Sequence, residues 1–168
     1  NYTTNISSGS KATLIGDNRV SKSMFVNIVS GFIDINSGSV KLDGIPVENI
    51  NKSTLNKQLS ILFSTNELFE ASLTHNITVG RHINEERIRG IISLMGLDLF
   101  VSNLPNGLDT IINPSNYFLS KDITQKILLA RALVTRSRLY LFENPFLYLK
   151  QNDKERIIDF MLEDANDS

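Results

Sequence analysis

The chain has 168 residues, of which 41% are hydrophobic and 21% are charged, a composition typical of one globular domain. Its formal net charge of −1 gives no reason to expect nucleic acid or an anionic membrane as the main partner. No apolar run reaches the ~18 to 20 residues that a membrane-spanning helix needs. The absence of cysteine excludes disulfides and thiolate metal sites.

The first part of the chain is predicted to contain a strand, a loop and a helix. Residues 11–15 (KATLI) form an apolar run typical of a short buried strand. Residues 23–32 then place apolar side chains along one helical face, and Gly31 ends the helix. The predicted apolar face consists of Met24, Phe25, Ile28 and Val29.

The remaining chain is predicted to contain a hairpin, two core strands and three helices. Residues 37–47 alternate in polarity across Asp43 and Gly44, which is a strong hairpin signal. Candidate strands lie at residues 58–63 and 138–145, and candidate helices at 85–95, 124–134 and 154–162. Strands interleaved with helices predict an α/β fold with a largely parallel sheet flanked by helices, and with an inserted helical subdomain.

The loop after the first predicted strand carries part of a phosphate-binding pattern. Gly16, Lys22 and Ser23 match GxxxxGK[ST], but Ser21 and Arg19 replace two glycines of the tighter form GxxGxGK[ST]. Those glycines let successive backbone N–H groups curl around phosphate oxygens. Lys22 would contact the outer phosphates and Ser23 would bind Mg²⁺; the alternative is a turn with an exposed lysine. We define the phosphate loop as Gly16, Asp17, Asn18, Arg19, Val20, Ser21, Lys22, Ser23 and Met24.

Five further segments follow in a characteristic order: GFIDINSGSVKLDGIPV, LFEASLTHNI, LPNGLDT, FLSKDITQKILLARAL and LYLFENPF. With the phosphate loop they resemble the nucleotide-binding domain of ATP-binding cassette (ABC) transporters, in particular the exporter branch. The resemblance runs from about Ile6 to Leu162. It implies a single P-loop NTPase-like domain over residues 1–168, with a core of 1–79 and 136–168 and a helical subdomain of about 80–135. Because the family's outer strands are missing, we expect a fragment truncated at both ends.

The resemblance also assigns the positions that carry the family's chemistry. Glu143 stands at the position of the Mg²⁺-linked aspartate, and Ser64 at that of a glutamine that senses Mg²⁺ and the membrane domain. Ser23, Ser64 and Glu143 are therefore the candidate metal contacts. Asn144 occupies the position of the catalytic glutamate, and its neutral amide cannot take a proton from an attacking water. We predict that this catalytic position is inactive.

The family signature LSGGQ, which closes over the γ-phosphate held by a partner domain, is also altered. Both of its glycines and its glutamine are replaced, and Asp122 would meet the phosphate with like charge. The alternative interpretation is a well-started helix, with Ser120 as N-cap and Asp122 in the first turn. The aligned positions are Leu119, Ser120, Lys121, Asp122 and Ile123.

The resemblance implies a nucleotide-binding domain that couples ATP binding to export, with ATP and Mg²⁺ as cofactors. The implied partners are the transmembrane domain of the same transporter and a second nucleotide-binding domain, at the cytoplasmic face of the cell membrane. The altered motifs predict a degenerate domain with weak or no hydrolysis. The alternatives are an active transport ATPase and a non-transport scaffold on the ABC fold. His75 and His82 are predicted to be ordinary surface residues.

Overall fold

A computed structural model describes residues 3–114 and 119–164 of the chain, apart from the side chains of Arg19 and Asp164. The chain divides into two compact units, residues 1–57 with 160–168 and residues 58–159. The predicted division into a core and a helical subdomain stays a prediction. Within the described ranges, no helix is both long enough and apolar enough to cross a membrane.

The first unit contains a helix and the predicted hairpin. Helix α1 spans Arg19–Val29, strands β1 (Lys41–Leu42) and β2 (Ile45–Pro46) pair antiparallel, and a 3-10 helix (Val47–Asn49) and helix α2 (Lys52–Gln58) follow. Asp43 and Gly44 have φ values of 50° and 79°. Both lie in the left-handed region that a type I′ hairpin turn requires, where glycine is least strained. The hairpin prediction is confirmed.

The predicted strand at residues 11–15 is wrong. These residues belong to no strand, all five are exposed, and Ile15 keeps 87% of its surface in contact with solvent. A strand needs a neighbour to bond its backbone N–H and C=O groups, and none of the described sheets includes this segment. The predicted helical face also differs, because Met24 is 50% exposed while Val26 is the buried residue of α1.

The second unit is built around a parallel strand pair. Strands β3 (Leu59–Leu62) and β6 (Leu139–Phe142) pair in register from Leu59 opposite Leu139 to Leu62 opposite Phe142. Helix α6 (Lys121–Leu133) packs on β3, and the Ser60 hydroxyl donates to the Ala132 carbonyl at 2.5 Å. Both strands and the α/β class are confirmed. In the described part of the chain the parallel sheet has these two strands.

Shorter elements complete the second unit. They are β4 (Ala71–Ser72), which pairs antiparallel with β5 (Ile111–Ile112), helices α3 (Leu73–Thr78), α4 (Glu85–Leu94) and α5 (Asp98–Ser102), and a 3-10 helix (Gly107–Asp109). Helix α7 spans Gln151–Asp164, of which residues 151–159 belong to this unit. The three helices predicted in this half of the chain are confirmed, although α6 and α7 each begin three residues earlier than predicted.

Candidate functional site

The phosphate loop is largely helical. Helix α1 begins at Arg19, so only residues 16–18 of the loop precede it. The Asn18 side-chain oxygen accepts a hydrogen bond from the Ser21 amide at 3.1 Å, and the Asn18 carbonyl accepts one from the Lys22 amide at 3.3 Å. A phosphate cradle needs such amides to point at an anion. In this chain two of them are bonded within the helix.

An open cavity of about 400 Å³ lies beside this helix start. Lys22 contributes its cation and Asp17 an opposing carboxylate. The helical start of α1 and the carboxylate of Asp17 do not fit a triphosphate cradle. Lys22 and Ser23 are both half-buried, and they still offer an ammonium for an outer phosphate and a hydroxyl for Mg²⁺. The lining residues are Leu14, Ile15, Gly16, Asp17, Asn18, Ser21, Lys22 and Phe25.

Two predicted metal contacts, Ser64 and Glu143, lie together in the second unit. They follow the carboxyl ends of the paired strands β3 and β6, where the Glu143 amide extends the ladder by donating to the Leu62 carbonyl at 2.8 Å. Glu143 Oε2 accepts hydrogen bonds from the amide and the hydroxyl of Ser64, each at 3.2 Å. The other oxygen, Oε1, is buried without a hydrogen-bond partner among the described atoms. One oxygen of the carboxylate is thus already bonded to the residue that was expected to share the metal with it.

Asn144 is the second residue after β6 and is exposed, with φ at 48°. Asparagine tolerates this left-handed backbone better than most residues. Its carbonyl accepts a hydrogen bond from the Leu147 amide at 3.3 Å, which forms a turn after the strand. The side chain at this position is a neutral amide, so it offers no group that could act as a general base.

The signature position forms a capped helix start. The Ser120 hydroxyl oxygen accepts from the Ile123 amide at 3.2 Å, which confirms the N-cap. Asp122 lies 3.2 Å from the Lys126 ammonium one turn later, and the Lys121 ammonium lies 5.1 Å from the centre of the Tyr148 ring. Lys121 and Asp122 replace the two signature glycines. Both side chains are thus in contact with other groups of the same chain.

Lys126 also contacts Asp153 on α7, at 2.7 Å between Nζ and Oδ2. Burial raises the pKa of the Asp153 carboxyl, but hydrogen bonds from Lys126 and Arg156, together with their charges, outweigh burial and hold the pKa below its ordinary value. Asp153 therefore stays ionised at neutral pH. Asp122 and Lys126 are four residues apart, so their pairing on a helix can be predicted from the sequence. No such spacing predicts the contact of Lys126 with Asp153.

A second, half-buried network joins Arg131 on α6 to α3 and to the segment before α3. Arg131 donates to the Asn76 carbonyl at 2.7 Å and to the Glu67 carbonyl at 3.1 Å, and its guanidinium lies 4.2 Å from the centre of the Phe69 ring. Burial lowers the pKa of Arg131 to about 10, so it stays charged at neutral pH. No short-range sequence pattern points to this network, because Asn76 and Glu67 lie 55 and 64 residues from Arg131 along the chain. His75 and His82 are exposed, as predicted.

Comparison with known proteins identifies the family. A family model described as ABC transporter matches residues 1–147. This chain belongs to the ABC transporter family. The resemblance found in its motifs to the ABC transporter family is confirmed, and ATP is the ligand that this family implies.

Individual relatives agree with this assignment. ABC transporter B family member 21 of Arabidopsis thaliana is 30% identical over 163 residues, which are 96% of this chain and 12% of that protein. The ATP-dependent lipid A-core flippase of Legionella pneumophila (strain Lens) is 28% identical over 159 residues, 94% of this chain and 27% of the flippase. The chain thus spans about an eighth to about a quarter of the length of these curated relatives.

A solved structure shows the same fold. The structure of a bacterial Atm1-family ABC exporter with ATP bound superposes with a TM-score of 0.87, covering 95% of this chain and 28% of that one. Sequence identity to it is 24%, so this likeness speaks for the fold alone. The predicted fold class is confirmed by this match.

Proposed function

We propose that this chain is a nucleotide-binding domain of an ABC-type exporter that couples ATP binding to transport with weak or no hydrolysis. The observation that carries the proposal is the strand end after β6. Asn144 presents an amide where the family has its base, and the Glu143 carboxylate before it is bonded to Ser64. Without a base, an attacking water keeps its proton and the hydrolytic step loses the ~10²- to 10⁴-fold that general-base catalysis contributes.

The proposed ligand is ATP with Mg²⁺, bound weakly. Lys22 and Ser23 would contact the outer phosphates and the metal ion, since both remain half-buried near the start of α1. The Asn18 cap works against binding because it occupies the Ser21 amide. We therefore expect binding that relies on the charge of Lys22 more than on backbone amides.

The proposed partners are a transmembrane domain of the same transporter and a second nucleotide-binding domain, at the cytoplasmic face of the membrane. Support comes from the relatives, which are named as transporters and flippases and are several times longer than this chain. The signature position carries Lys121 and Asp122 in place of glycines. Asp122 would repel a γ-phosphate held by a partner domain, so the proposal extends the loss of hydrolysis to the partner's site.

Phosphate release from Mg²⁺-ATP tests this proposal. We expect the protein to release no phosphate above a protein-free blank, and Lys22→Ala to leave that result unchanged. Asn144→Glu alone should not create turnover, because the phosphate loop and the signature position stay altered. Lys41→Ala, an exposed lysine of the hairpin, is the matched control. Turnover that Lys22→Ala abolishes and Lys41→Ala preserves would contradict the proposal and favour the active transport ATPase.

A further inference from the structure

Four charged residues link the signature position to helix α7. The charge cluster consists of Asp122 and Lys126 on α6 and of Asp153 and Arg156 on α7. The Lys126 side chain is only 8% exposed, and its ammonium lies 2.7 Å from Asp153 and 3.2 Å from Asp122. The Asp153 side chain is 13% exposed. The central pair is therefore largely shielded from water.

Arg156 extends the charge cluster to a third helix. It bonds Asp153 through its guanidinium, and its Nε donates to the Leu94 carbonyl at the end of α4 at 2.7 Å. Gly96 lies against the same guanidinium: a Cβ there would stand 3.0 Å from Arg156 Nη2, and φ is 63°. Glycine both adopts this backbone and leaves room for Arg156, so the junction of α4, α6 and α7 is closely fitted.

The charges within the cluster depend on one another. Two cations face two anions, and removing Lys126 would leave Asp122 without an ion pair and Asp153 with Arg156 alone, which is disfavoured for shielded charges. Asp122 Oδ1 is buried and has no hydrogen-bond partner among the described atoms, so Asp122 relies on Lys126 through its other oxygen. Lys121, also at the start of α6, makes a second contact there, because its ammonium lies over the face of the Tyr148 ring.

We propose that the charge cluster is a lock that fixes the start of α6 to α7. Lys126 is its central positioning residue, and the signature position works as a rigid joint between helices instead of an element that closes over nucleotide. The functional half of this inference rests on the proposed function. The lock itself depends only on contacts within residues 58–159, so it can be tested without nucleotide.

Amide hydrogen exchange of the nucleotide-free protein tests the lock. We expect Lys126→Met to accelerate exchange at least tenfold in residues 119–126 and 151–157, and Lys126→Arg to restore most of the protection. Lys154→Met, on the same turn of α7 as Asp153, is the matched control and should leave exchange within twofold. Asp122→Asn keeps the contact between Lys126 and Asp153. In this variant, faster amide exchange should therefore be confined to the start of α6.

Coupling between the partners gives a second measurement. In urea unfolding, the double variant Lys126→Met/Asp153→Leu should lose less stability than the sum of the two single variants, because the two most shielded charges of the cluster are removed together. Additive losses, or unchanged exchange in both Lys126→Met and Asp122→Asn, would overturn the lock. Neither measurement involves ATP, so failure of the lock and failure of the proposed function are distinguished.

Discussion

At the scale of single residues, the Asn76 side chain has hydrogen-bond partners at both its nitrogen and its oxygen. Its Nδ2 donates to the carbonyls of Phe69, Ala71 and Ser72 at 3.0, 3.2 and 3.2 Å. Its Oδ1 accepts from the Phe69 amide at 2.9 Å and from Arg131 at 3.2 Å. Asn76 is fully buried, so water cannot replace these bonds when the side chain is removed.

We expect Asn76→Ala to lower the free energy of unfolding by about 2 to 4 kcal/mol, because several buried groups lose their partners together. Urea unfolding followed by circular dichroism measures the loss. Asn56→Ala, at an exposed position of α2, is the matched control and should change stability by less than ~0.5 kcal/mol. A loss below ~1 kcal/mol for Asn76→Ala would mean that the network does not hold the segment before α3.

At the scale of elements, the start of α1 explains how the phosphate loop lost its shape. Asn18 is a good N-cap, and Arg19 and Ser21 are residues that a helix accepts where the family's pattern has glycines. The helix therefore begins before the lysine instead of at it. The residue pattern predicted a loop at residues 19–22 and a helix from residue 23; the missing glycines were the readable sign of the change, but the start of the helix at Arg19 was not predicted.

Two glycines should partly reverse this change. Each glycine costs a helix about 1 kcal/mol relative to alanine, so Arg19→Gly/Ser21→Gly should open the first turn and tighten Mg²⁺-ATP binding at least fivefold. Arg19→Ala/Ser21→Ala removes the same side chains but keeps the helix, and should bring no such gain. Titration with a fluorescent ATP analogue measures both. Equal effects of the two variants would show that side-chain bulk, and not helix formation, obstructs the site.

Other elements differ in how far the sequence could predict them. Asp43 and Gly44 predicted the hairpin. Apolar runs predicted β3 and β6, and these two strands do pair with each other. The apolar run at residues 11–15 does not find one in the described part of the chain, and a partner cannot be read from the run itself. For the charge cluster, Asp122 and Lys126 form a readable i,i+4 pair, whereas their contact with Asp153 depends on tertiary packing.

At the scale of the whole molecule, the ABC fold persists while its motif positions bond to their own neighbours. The phosphate-loop amides are used within α1, the Glu143 carboxylate is bonded to Ser64, and the signature position belongs to the charge cluster. Each of these bonds joins residues of the same compact unit. Family membership followed from the order of the segments, whereas these internal bonds, apart from the i,i+4 pair of Asp122 and Lys126, could be found only in the structure.

We propose that these motif positions now contribute to structure more than to nucleotide binding. Isothermal titration calorimetry of the protein with Mg²⁺-ATP tests it most directly. We expect a dissociation constant weaker than about 1 mM, which corresponds to less than roughly 4 kcal/mol of binding free energy. A micromolar dissociation constant that Lys22→Ala weakens would contradict the claim, because it would mean that the phosphate loop still binds ATP in spite of its helical start.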